Sequence, residues 1–148
     1  MSLSQSELGE RRKEFPVSKL EETLKALKYD AAGLIPAVCV DARTRQVLMV
    51  AYVNAQSVRE TIRTGKTHFW SRSRKKLWMK GESSGHTQEV RAIYTDCDKD
   101  ALLIEVEQSG AACHEGYYSC FYRKLNDEGE WEVAAERLFD PDDVYKKT

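Results

Sequence analysis

From Thr67 to Gln108 the chain is patterned for strands, in short runs divided by turn-forming residues, and this constrains its fold more than any other feature. Thr67 to Arg74 alternates and, if regular, sets His68, Trp70, Arg72 and Arg74 on one face. Lys76 to Lys80 is placed to pair with it. Gln88 to Thr95 and Ala101 to Gln108 predict two more strands around an acidic turn. Further on, Cys120 to Leu125 and Trp131 to Ala135 flank a turn at Asn126-Asp127-Glu128-Gly129. Upstream, Val17, Leu20, Leu24 and Leu27 recur at helical spacing behind Pro16, predicting a short amphipathic helix over 16–28. Leu34 to Val40 and Gln46 to Val53 predict a hairpin across Asp41-Ala42-Arg43-Thr44-Arg45. Asn54 is a good N-cap for a helix carrying Val58 and Ile62, and Gly65 fits its C′ position. The order of helix, two strands, helix and then mostly strands predicts a strand-dominated α+β fold or open barrel with a few short helices, not a βαβ sheet.

The 148 residues amount to one domain, read as residues 16–148 behind a polar tail at 1–15. No apolar run approaches the ~20 residues that span a bilayer, and Met1 to Glu14 carries no signal-peptide core. The expected compartment is the cytoplasm. A net charge of −1 provides no global field for nucleic acid or a membrane surface, so neither is an expected partner.

Without a secretion signal, the four cysteines are expected to be reduced. Cys39 sits in an apolar strand-like run and reads as a buried small hydrophobe. Cys97, Cys113 and Cys120 differ: each has polar neighbours, and Cys97 stands between two aspartates. Metal binding is the better reading of this trio. The seven-residue step from Cys113 to Cys120 is too wide for a zinc knuckle and wrong for a thioredoxin-type pair. Three thiolates with one open position make a catalytic type of zinc site, at which a bound water is acidified. Thiolates weaken the metal as a Lewis acid, so a nearby base helps; His114 is nearest in sequence, with His86 and His68 the others.

Five positive charges lie between Arg72 and Lys80 with no acid among them. Arginine forks and serine hydroxyls suit phosphate oxygens, and Trp70 and Trp78 can stack on a base. A solvated basic edge strand is the plain alternative. The loop Gly81-Glu82-Ser83-Ser84-Gly85-His86-Thr87-Gln88 has two glycines that let backbone amides approach an anion, or that merely make a hairpin turn. Asp96, Asp98 and Asp100 put three carboxylates at alternate positions, suited to a hard cation such as Mg²⁺ or to a solvated turn. A calcium loop is excluded: Ala101 stands where the sharp turn needs glycine.

These stretches, in this order, resemble the phosphoribosyl-AMP cyclohydrolase family. The likeness runs from about Gly33 to Leu125. It includes Gly33-Leu34-Ile35-Pro36-Ala37, Val47 to Tyr52, Phe69 to Arg74, Leu77 to Gln88, Asp96 to Asp100, Ala112-Cys113-His114 and Ser119 to Arg123. It implies hydrolysis of the N1–C6 bond of the adenine ring in phosphoribosyl-AMP, giving the formimino-linked carboxamide ribotide (ProFAR) of histidine biosynthesis. It further implies zinc on Cys97, Cys113 and Cys120, shared between the subunits of an intertwined homodimer; magnesium on Asp96, Asp98 and Asp100; and a barrel-like α+β subunit. Met79 stands where members often carry histidine or arginine. The 23 residues after Leu125 are too few for the pyrophosphohydrolase domain to which the family is often fused, so a monofunctional chain is expected.

The expected chemistry is attack of activated water at C6 and proton delivery to N1, with His114, His86 or His68 as shuttle. Trp70, Ser71, Arg72, Ser73, Arg74, Lys80, Glu82 and Ser83 form the expected substrate-binding set. Two rivals stand beside this reading. One is a zinc-stabilised RNA-binding module, with His114 closing a four-ligand site. The other is a different zinc hydrolase acting on a nucleobase, although the His-x-Glu…Pro-Cys-x-x-Cys deaminase signature is absent.

Overall fold

A computed structural model describes residues 16–144; the predicted tail at 1–15 and the last four residues lie outside the described residues. Helix α1, Val17–Lys25, ends three residues earlier than its apolar spacing predicts. Leu24 is buried and Leu20 and Leu27 pack against the core, while Val17, in the first turn, stays 77% exposed. Strands β1 (Ile35–Asp41) and β2 (Val47–Val53) form the predicted hairpin. Its loop is closed by Asp41, whose Oδ1 accepts from the backbone N–H groups of Arg43 and Thr44 at 2.8 and 2.9 Å.

Helix α2, Ala55–Thr64, has the predicted punctuation at both ends. Asn54 Oδ1 accepts from the Ser57 N–H at 2.8 Å and Ser57 Oγ accepts from the Asn54 N–H at 2.9 Å, so two helix-end donors are satisfied reciprocally. Gly65 takes the left-handed conformation, φ 79°, that lets its N–H reach the Thr61 carbonyl. Strands β3 (His68–Ser71) and β4 (Lys76–Met79) pair antiparallel, as do β5 (Gln88–Thr95) and β6 (Leu102–Gln108). A short hairpin of β7 (Arg123–Leu125) and β8 (Trp131–Val133) precedes a single turn, α3 (Pro141–Val144).

The main sheet runs β2-β1-β6-β5, with β1 and β6 parallel and the other neighbours antiparallel. Its buried face is lined by Ile35, Ala37 and Cys39 of β1, Leu48 and Val53 of β2 and Ile104 and Val106 of β6, and is covered by Leu24, Val58 and Phe69. The strand-rich α+β expectation holds, but the barrel does not. The described strands make one open four-stranded sheet and two separate hairpins.

Three predicted strands are clearly shorter than their patterns suggest: the one from Trp131 ends at Val133, and two others bear on the candidate site. The run from Thr67 stops at Ser71, because Ser71 Oγ accepts from the Arg74 N–H at 3.1 Å and Lys75 turns through φ 53°. Arg72 and Arg74 therefore sit in a tight turn and do not share a strand face with His68 and Trp70. The run from Cys120 begins as a strand only at Arg123, since the Cys120 N–H goes instead to the Leu48 carbonyl at 2.7 Å. No described helix is long and apolar enough to cross a membrane.

The capping pair is the local test of this frame. Asn54→Ala is expected to lower unfolding free energy by about 1 kcal/mol, read as a lower urea midpoint at unchanged slope and fixed protein concentration.

Candidate metal and active site

The segment after β6 is a tight loop tied by its own backbone. Ala112 N–H donates to the Tyr118 carbonyl and Cys113 N–H to the Tyr117 carbonyl, both at 3.0 Å. Gly116 closes the loop at φ +99°, where an added Cβ would lie 2.2 Å from the Phe139 carbonyl oxygen, so only glycine fits. Tyr117 and Tyr122 stack with ring centroids 3.7 Å apart and form a small buried cluster with Cys113. The Arg123 and Arg137 guanidiniums lie over the Tyr122 and Tyr117 rings, 4.5 and 5.6 Å from the centroids. Tyr122 OH donates to Glu115 Oε1 at 2.7 Å, which holds the Glu115 carboxyl below its usual value.

This bracing brings Cys113 and Cys120 together. Burial, with the Cys113 thiol alongside, pushes the Cys120 thiol up to about 11. Cys113 Sγ also accepts from the Glu115 N–H at 3.4 Å. Cys39 is fully buried in β1, as its apolar run predicts, and burial pushes its thiol up to about 12.

Cys97 is elsewhere. It is exposed in the acidic turn that joins β5 to β6. That turn follows the Thr95–Leu102 pair at one end of β6, whereas the cysteine loop leaves the other end, beyond Gln108. Seven residues of strand put the two ends roughly 20 Å apart. Cys120 is tied to Leu48 of β2, beside the Val40–Val47 pair of the first hairpin, and Val40 lies next to Glu105 in the middle of β6. The sulfurs of Cys97, Cys113 and Cys120 do not all lie within 4.8 Å of one another in the chain.

Asp96, Asp98 and Asp100 do assemble. Their carboxylate oxygens lie within 4.8 Å of one another, the one such set of three or more His, Cys, Asp or Glu side chains among the described residues. The Asp100 N–H donates to Asp96 Oδ1 at 3.0 Å, and a side-chain hydrogen bond with Asp96 raises the Asp100 carboxyl above its usual value. Three crowded oxygens fit a hard divalent cation. Cys113 and Cys120 could offer a metal two soft donors of the kind zinc takes.

The histidines have three different settings. His114 is exposed on the cysteine loop, its Nε2 4.0 Å from Glu115 Oε2. His68 is buried, with Nδ1 2.9 Å from the Lys66 carbonyl oxygen. His86 is half-buried with its ring edge-on to Phe139; its Nδ1 is buried and makes no hydrogen bond. Gly110 makes room for that ring, since a Cβ there would come 2.7 Å from His86 Cδ2.

The expected substrate-binding set is divided as well. Arg72, Ser73 and Arg74 are exposed at the β3–β4 turn, with the Arg72 guanidinium 4.0 Å from the Tyr52 ring centroid. Trp70 and Ser71 are half-buried at the end of β3, and Ser83 is exposed. Glu82 Oε1 accepts from the Met79 N–H at 2.8 Å and so braces its own turn. Lys80 faces the cysteine loop, its Nζ donating to the Ala112 carbonyl. Sequence reasoning missed this, along with the bracing roles of Glu115, Tyr117, Tyr122 and Gly116. Tyr117 and Tyr122, each a few residues after one of the two cysteines, were the available signal.

The phosphoribosyl-AMP cyclohydrolase family model matches residues 49–122, from β2 through the cysteine loop. The chain belongs to the phosphoribosyl-AMP cyclohydrolase family. It is 55% identical over 124 residues to the phosphoribosyl-AMP cyclohydrolase of Pelotomaculum thermopropionicum, covering 84% of this chain and 96% of that one. It is 58% identical over 121 residues to the enzyme of that name from Methanosarcina barkeri, covering 82% and 90%. With that of Methanococcoides burtonii it shares 52% over 122 residues, covering 82% and 98%. In this phosphoribosyl-AMP cyclohydrolase family chain the matched region contains all three polar-flanked cysteines, the acidic turn and the basic run.

The raised thiols make a pH test. Folded Cys39 and Cys120 keep their protons up to about 12 and about 11, against an ordinary value of 9.0. Between those values the folded metal-free chain binds more protons than the unfolded one, so stability falls as pH rises. The urea midpoint of chelator-stripped, reduced protein is expected to drop from about pH 9 upward, and Cys39→Ala to flatten part of that drop.

Proposed function

We propose that the chain hydrolyses phosphoribosyl-AMP, opening the adenine ring at N1–C6 to give ProFAR in histidine biosynthesis, at a zinc site completed between two copies of the chain. Family membership over more than four-fifths of the chain supports the reaction. The observation that supports the shared site is that Cys97, in the turn before β6, does not converge with the adjacent Cys113 and Cys120 of the loop after β6. In a symmetric pair, the acidic turn of one subunit meets the cysteine loop of the other, and two equivalent sites form. Exposed Phe121, Leu125, Trp131, Val133 and Leu138 provide apolar surface for a second copy to cover.

Cys97, Cys113 and Cys120 are the residues we assign to zinc, which when bound lowers the pKa of a coordinated water to near neutrality. Asp96, Asp98 and Asp100 are assigned to magnesium, next to Cys97 in the same turn. N1-ribosylation leaves the purine electron-poor, so C6 is the electrophile. Water adds at C6, N1 takes a proton and the N1–C6 bond breaks, while the exocyclic amine stays. His114 is the shuttle we assign, because it is exposed on the cysteine loop. His68 and His86 are committed to the fold on β3 and against Phe139. Arg72, Arg74, Ser71, Ser73 and Ser83 are assigned to the substrate's phosphates, with Trp70 beside them for the base.

The reaction is tested with phosphoribosyl-AMP, zinc and Mg²⁺ under reducing conditions. The expected outcome is an ultraviolet change without ammonia; ammonia release would point to a deaminase instead. Sharing of the site is tested by mixing. Cys97→Ser and Cys113→Ser are each expected to be inactive, and remixed subunits to recover about a quarter of wild-type activity. Half of randomly paired dimers are mixed, and each of those keeps one intact site of two. No recovery after verified subunit exchange would place the whole site in one chain. Arg72→Ala is expected to raise KM and leave zinc content unchanged.

A further inference from the structure

Lys80 belongs by sequence to the basic run, yet it is built into a different place from the rest of it. Arg72 to Lys76 are exposed around the β3–β4 turn, while Lys80 is half-buried. Its backbone is fixed on both sides. Lys80 N–H donates to the Thr67 carbonyl at 3.0 Å, and Gly81, at φ +83°, lies so close to the His86–Thr87 peptide that a Cβ would come within 2.5 Å of it. From this anchored position Nζ donates to the carbonyl of Ala112, the peptide unit immediately before Cys113. Burial lowers the affinity of the Lys80 ammonium for its proton, and the nearby Cys120 and Cys113 act in the opposite direction. An ammonium turned inward to a backbone carbonyl is badly placed to receive a phosphate from solvent.

We infer that Lys80 is a positioning residue for the Cys113–Cys120 half of the metal site, pinning the Ala112–Cys113 peptide and setting one positive charge against the thiolates. The inference rests on the reading above that these cysteines hold zinc. Three thiolates around a divalent cation leave one negative charge in excess, and a single ammonium cancels it. Partners of this kind around the ligands commonly change metal affinity by roughly 10–100-fold.

The test is zinc affinity of the full chain, measured by competition with a chromogenic chelator for wild type, Lys80→Met and Lys80→Arg. KM for phosphoribosyl-AMP is measured alongside at saturating zinc. Lys80→Met is expected to weaken zinc binding by roughly 10–100-fold with little change in KM, and Lys80→Arg, which keeps the charge, to restore most of the affinity. Wild-type zinc affinity in Lys80→Met with a raised KM would overturn the inference and return Lys80 to the phosphate set. A loss as large in Lys80→Arg as in Lys80→Met would also overturn it, since the charge would then not be what matters. If the wild-type chain itself holds no zinc, the cysteine reading fails first and this inference with it. Should Lys80→Met not fold by circular dichroism, Lys80→Gln takes its place in the same comparison.

Discussion

The parallel pairing of β1 with β6 is the constraint on which the rest of the molecule depends. Ala37 to Asp41 lie beside Leu102 to Val106 at the centre of the sheet, and both strands are largely buried. Parallel neighbours cannot be joined by a tight turn, so the chain must leave β1, build everything from β2 to β5, and return. That excursion carries α2 and the β3–β4 hairpin, and it ends in the acidic turn that feeds β6. Because β6 is central, its two ends open at opposite edges of the sheet. One end receives the carboxylates and Cys97; the other releases the loop with Cys113 and Cys120. The placing of Cys97 before β6 and of Cys113 and Cys120 after it is therefore a product of strand order.

Local signals in the sequence were reliable where local physics decides. Asn54 and Gly65 mark the ends of α2 because capping bonds and a left-handed residue are needed whatever surrounds them. The apolar burial of Cys39 and the convergence of Asp96, Asp98 and Asp100 were likewise legible, since each depends on neighbours a few residues away. The misreadings came from competing hydrogen bonds, one local and one long-range. Alternation alone carries a strand to Arg74, but the Ser71 hydroxyl and the turn at Lys75 end it at Ser71. The Cys120 segment looks like a strand, yet its N–H is taken by Leu48, far away in sequence. The barrel expectation failed for a related reason. A barrel needs every edge strand paired, and the two short hairpins pair only within themselves among the described strands.

The candidate site was legible as a set of residue types and only partly as an arrangement. Three cysteines with polar neighbours, three alternating aspartates and a basic run can be read directly. Which of them touch cannot, because that depends on β6 lying between Cys97 and the other two. Lys80 shows the same limit. Its charge places it in the basic run, but an anchored backbone at Thr67 and Gly81 directs it to Ala112. The stack of Tyr117 on Tyr122 between two arginines is invisible in composition, yet it shapes the loop that presents Cys113.

Dividing the thiols between two ends of one chain has a physical consequence for the proposed enzyme. A lone subunit offers zinc two thiols at one place and one at another, and neither matches a site of three soft donors. Metal binding and association then reinforce each other: zinc that bridges two copies stabilises the pair, and the pair creates the site. By mass action the apparent zinc affinity rises with protein concentration and the dimer becomes harder to dissociate as zinc is added. A site contained in one chain has neither property, so on the proposed reading the division of the cysteines makes the active centre a consequence of assembly.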